Sequence, residues 1–148
     1  MGKNWLVIAH RAGARIFARG DDPHTLEVVE HMDNPQAHQP EREFGSDRPG
    51  RSVDSSRHGR HAMNNEAPAR EASAQKFARR IAERLDAARV GHELVQLALV
   101  AEPHMLGLLR DALSPHTAAL VSAELEKDLL HVADKDLAAY LKQANFWI

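Results

Sequence analysis

Three apolar stretches open the chain. Trp5 to Ala9 is continuously apolar, Ala14 to Ala18 carries Ile16 and Phe17, and Thr25 to Met32 alternates in part around Leu26, Val28 and Met32. Turn-like Arg11-Ala12-Gly13 and Gly20-Asp21-Asp22-Pro23 separate them. The pattern predicts three short strands in an antiparallel meander, with Gly13 and Gly20 where a positive φ costs least. From Asp33 to Pro68 the only large apolar residues are Phe44, Val53 and Met63 among Pro, Gly, Ser, Asn, His and Arg. So little apolar surface does not offset the entropy of ordering, and a long flexible loop is expected over about 33–68. Loops of that length within a compact fold are uncommon and are usually functional or disordered.

Helical periodicity begins at Ala69. Ala74, Phe77, Ala78, Ile81, Leu85 and Ala88 recur at three and four residues and define one buried face. Lys76, Arg79, Arg80, Glu83, Arg84 and Asp86 cover the rest, with Arg79 and Glu83 at pairing distance and Gly91 placed to end the helix. Leu94 to Val100 is nearly all apolar, as a strand buried on both faces would be. Pro103 suits the first turn of a second helix with a stripe of Met105, Leu106, Leu108, Leu109 and Leu113, stopped at Ser114-Pro115. Val121, Ala123 and Leu125 alternate with Ser122, Glu124 and Glu126, which predicts a half-exposed strand. A last helix is expected from an N-cap at Asp134, with Leu137, Ala138 and Leu141 on one face. The order βββ, loop, αβαβα predicts an α/β fold. Its mixed sheet joins an N-terminal antiparallel meander to a buried central strand, flanked by about three helices.

Composition narrows the chemistry. The 148 residues form one domain on this reading, residues 1–148, a length that supports one hydrophobic core. The absence of cysteine excludes disulfides, zinc-thiolate sites, iron–sulfur clusters and a cysteine nucleophile. No apolar run is long enough to span a bilayer, and the apolar stretch near the start is about five residues, short for a secretory signal. A cytoplasmic location without membrane insertion is therefore expected, and no cofactor is implied. The net charge of -2 hides an uneven distribution: Arg and His gather in the loop and the helix after it, while Glu124, Glu126, Asp128, Asp134 and Asp136 gather later.

The string Leu97-Ala98-Leu99-Val100-Ala101-Glu102-Pro103-His104-Met105-Leu106-Gly107-Leu108-Leu109-Arg110, with the later Leu113-Ser114 and Glu124-Leu125-Glu126-Lys127-Asp128-Leu129, resembles the bacterial host attachment protein family. Trp5-Leu6-Val7-Ile8-Ala9, Gly13-Ala14-Arg15-Ile16-Phe17 and Gly59-Arg60-His61-Ala62 extend the resemblance over essentially the whole chain. The resemblance implies a role in attachment to host cells, and without a signal peptide that role would be indirect. More distantly, the plan is similar to the central domain of eukaryotic and archaeal peptide-chain release factors, in which a Gly-Gly-Gln tripeptide precedes an Arg-rich helix. Gln36, Gln39 and Gln75 lack a preceding Gly pair here, so the resemblance does not extend to peptidyl-tRNA hydrolysis.

Two function classes follow. One is a non-enzymatic interaction module with a protein partner; the other is an RNA- or ribosome-associated factor using the loop and the basic helix. The candidate anion- or RNA-binding residues are Arg57, His58, Arg60 and His61 around the permissive Gly59, with Lys76, Arg79, Arg80 and Arg84 on the helix. The plainer reading is a solvated basic run and an ordinary polar helix face, diluted by Glu83 and Asp86 and lacking aromatic residues for base stacking. Asp54, His58 and His61 have metal-ligand spacing on a helix, but Ser, Arg and Gly between them support that helix poorly. Ala101-Glu102-Pro103-His104 sits at a strand-to-helix turn of the kind that binds anions. Glu102 opposes an anion there, which favours packing. His10 and His31 are expected as half-buried strand residues. No catalytic triad, catalytic residue or metal centre is assigned.

Overall fold

The structure is a computed structural model that describes residues 2–22, 24–38 and 55–147, with side chains for 2–22, 24–37 and 68–147. Five strands form one mixed sheet: β1 (Lys3–His10), β2 (Gly13–Arg19), β3 (Leu26–Asp33), β4 (Leu94–Ala101) and β5 (Val121–Glu126), in the order β3-β2-β1-β4-β5. The expected meander is present, β1 pairing antiparallel with β2 and β2 with β3. β4 lies parallel to both β1 and β5. The central strands β1 and β4 read as nearly continuous apolar runs because both of their faces are covered. On one face Trp5, Val7, Ala9, Leu97, Leu99 and Ala101 meet the helices. On the other, Leu6, Ile8, Ala98 and Val100 join a second core. The edge strand β5 alternates between half-buried and exposed residues, as its sequence predicts.

Four helices flank the sheet among the described residues: α1 (Ser55–Val90), α2 (Pro103–Ala112), α3 (Pro115–Ala118) and α4 (Asp134–Gln143). The expected face of α1, from Ala74 through Phe77, Ala78, Ile81 and Leu85 to Ala88, is fully buried against the sheet. The helix is longer than its apolar face, however, and of the stretch expected to be loop, residues 33, 35–38 and 55–68 are not loop, while 39–54 lie outside the described residues. Asp33 belongs to β3, Pro35–His38 form a 3₁₀ turn, and α1 begins at Ser55 rather than near Ala69. Once the packed part of α1 is formed, extending it adds one backbone hydrogen bond per residue without a new nucleus, and Ala62, Met63, Glu66 and Ala67 are good helix formers. Neither Gly59 nor Pro68 interrupts the helix, so residues 55–61 are helical despite the poor support expected from their Ser, Arg and Gly; Asp54 lies outside the described residues.

Local punctuation differs from expectation in three places. No glycine among the described residues has a positive φ, including Gly13 and Gly20. Gly13 instead serves close approach, since a Cβ there would lie 3.0 Å from the carbonyl oxygen of Met32. At the end of α1 the left-handed position falls on His92 (φ 60), one residue past Gly91. The amide of His92 donates to the carbonyl of Arg89 (3.1 Å) and that of Glu93 to the carbonyl of Ala88 (2.9 Å), a Schellman closure with His92 at the position where glycine is usual. Asp134 is the first residue of α4 rather than its cap. Ala133 takes the cap position without a side-chain hydrogen bond, and the Asp134 carboxylate turns to Arg15 and His31. The break at Ser114-Pro115 starts the short α3, in which the Ser114 hydroxyl accepts from the Thr117 amide.

Candidate interaction surface

The basic residues of α1 divide into two groups. Arg80 donates to the backbone carbonyl of Asp33 (3.1 Å), and its guanidinium lies 5.3 Å from the Phe77 ring centroid. Arg84 pairs with Glu30 (2.7 Å) and lies 5.4 Å from the Trp5 ring centroid. Both therefore tie the helix to β3 and rest on aromatic faces, where the ring quadrupole favours a cation. Lys76 and Arg79 are exposed and have no ion-pair partner among the described residues; the expected Arg79–Glu83 pair is not formed. Arg57, His58, Arg60 and His61 fall within the span of α1, but their side chains lie outside the described residues, as does Asp54 altogether. Among the described residues, no three His, Asp or Glu side chains gather as a metal site would require.

The helix is held at its sheet-facing start by contacts from residues far apart in sequence. The buried Asn34 donates to the carbonyl of Arg11 (2.9 Å) and to the Ser73 hydroxyl (3.2 Å), joining the β1–β2 turn to α1. Glu71 meets His104 Nε2 at 2.6 Å and accepts from Gln75 (3.2 Å), joining α1 to the first turn of α2. The anion-binding alternative at that turn is closed off. The Glu102 carboxylate accepts from the amides of His104 (3.3 Å) and Met105 (2.8 Å), so it occupies the donors an anion would need. His10 is half-buried as expected, its Nδ1 accepting from the Ala12 amide (3.1 Å). His31 is not: its side chain is 56% exposed and pairs with Asp134 (3.0 Å), because β3 is an edge strand.

Among the described residues, the far end of α1 carries the most perturbed carboxylate. Hydrogen bonds from Arg89, and then from the Ser114 and Thr117 hydroxyls, hold Asp86 at about 2 against an ordinary 3.8. Thr117 is fully buried beneath this cluster. Every partner of Asp86 belongs to α1 or to the start of α3, so the group ties these elements together. Two surface pairs shift their cations upward: Glu27 raises Lys3, and Glu124 raises Arg110. Sequence spacing offers no signal for the Asn34–Ser73, Glu71–His104 or Asp86–Ser114 contacts, since each partner is supplied by the tertiary fold.

These ties fix a mixed sheet whose long helix presents Lys76 and Arg79 as exposed cations with no ion-pair partner among the described residues. A family model described as "protein required for attachment to host cells" matches residues 5–141. The chain belongs to this family. For this attachment-family chain the match runs from the buried Trp5 of β1 to the buried Leu141 of α4, and so takes in both cores. No curated protein matches the chain. No helix among the described residues is long and apolar enough to cross a membrane.

Proposed function

We propose that the protein is a non-enzymatic interaction module that acts in attachment to host cells. It would act from the cytoplasm, and so indirectly, by binding a partner through the outer face of α1. Family membership over residues 5–141 carries the role. What supports the surface is the pair Lys76 and Arg79, exposed cations without an acidic partner among the described residues. They lie downstream of Arg57, His58, Arg60 and His61 on the same helix, and all six are offered as the recognition set. Arg80 and Arg84 would brace this face through their contacts with β3. Exposed cations on one helix face suit an acidic partner surface and speed its encounter.

The same two cations favour one second reading, an RNA- or ribosome-associated factor related to release-factor central domains but without peptidyl-tRNA hydrolysis. Sedimentation of lysates at low salt, with and without nuclease, separates the two. The protein-partner reading expects a complex that survives nuclease. Sedimentation with ribosomes, or a complex that nuclease destroys, would replace it with the second. A strain lacking the protein should attach less to host cells, and wild-type protein should restore attachment; unaltered attachment would contradict the proposed role.

A further inference from the structure

The two faces of the sheet are closed in different ways. One face is covered by α1 and α2 around a large core that includes Phe77, Ile81, Leu85, Leu106 and Leu109. Among the described residues, the other is covered by residues 127–147, through Leu129, Leu137 and Leu141 with Phe146 and Trp147 against Leu6, Ile8 and Phe17. Polar contacts from β2 and β3 fasten that cover. Arg15 donates to the carbonyls of Leu129 (2.6 Å) and Val132 (2.6 Å) and to Asp134 (3.0 Å), and His31 meets the other oxygen of Asp134. Arg19 donates to the carbonyl of Trp147 and stacks on its ring at 4.3 Å.

The closed cover carries its own costs. Helix α4 has 10 residues and no side-chain N-cap, and a helix so short is not stable without tertiary contacts. Trp147 holds a left-handed backbone (φ 66), which a bulky residue seldom adopts. Beside it, Arg19 Nε is buried without a hydrogen-bond partner. Strain of this kind persists where the surroundings impose it, and it gathers at switch regions.

We propose that residues 127–147 form a latched cover that opens as a unit while the opposite core stays folded, with Arg15 as the latch. Opening exposes Leu6, Ile8, Phe17, Ala98 and Val100, and it relieves the conformation at Trp147 and the orphaned nitrogen of Arg19. Hydrogen exchange on the whole protein tests this, comparing wild type with Arg15→Gln. The expected result is a rise of roughly tenfold or more in exchange at amides 134–143 in the variant, with β1, β4 and residues 74–88 unchanged. A uniform rise, or no change at 134–143, would overturn the latch. If Arg15→Gln does not fold, wild type in sub-denaturing urea decides: the amides of α4 must lose protection before those of β1 and β4, and simultaneous loss would overturn the cover.

Discussion

His92 occupies a left-handed position that closes α1, and its side chain makes that backbone costly. His92→Gly should therefore raise stability by about 0.5–1 kcal/mol in urea unfolding, less whatever entropy the unfolded chain gains. A loss of stability would mean that the imidazole contributes more than the strain costs. Gly13 predicts the opposite sign. An added methyl 3.0 Å from the Met32 carbonyl oxygen must push apart a strand pair, so Gly13→Ala should destabilise by about 1–3 kcal/mol in the same measurement. The sequence marks both glycine-rich turns without showing which residue takes which conformation. Gly91 looks like the helix terminator, but the hydrogen bonds of Glu93 and His92 place the left-handed residue one step later.

At the scale of elements, Asp86 joins α1 to the start of α3 through Arg89, Ser114 and Thr117. Its value is depressed to about 2 from 3.8, so its stabilising effect is complete above the ordinary carboxylate range and is lost as pH falls from about 4 toward 2. Thermal melts between pH 2 and 7 should show Asp86→Asn with a lower Tm at neutral pH and a weaker acid dependence in that window. An unchanged acid profile would assign the loss to other carboxylates. The elements best read from sequence are those whose periodicity reports burial, such as the Phe77–Ala88 face of α1 and the doubly buried β4. The first part of α1 was not legible because residues 55–68 carry no apolar stripe at helical spacing. The contacts that position the candidate surface were not legible either, since Asn34 meets Ser73 and Glu71 meets His104 only once the sheet has formed.

Across the whole molecule, two cores share one sheet, and the larger one fixes α1 in place. Ile81 is fully buried in that core, so Ile81→Ala should cost about 2–5 kcal/mol in global unfolding, whereas exposed Lys76 and Arg79 should tolerate substitution within about 0.5 kcal/mol. That difference lets the surface be altered without disturbing the scaffold. The decisive measurement is attachment to host cells by a strain lacking the protein, complemented with wild type or with the double variant Lys76→Glu, Arg79→Glu at matched abundance. The proposed surface predicts that wild type restores attachment and the charge-reversed protein, folded and equally abundant, does not. Full restoration by the charge-reversed protein would contradict it.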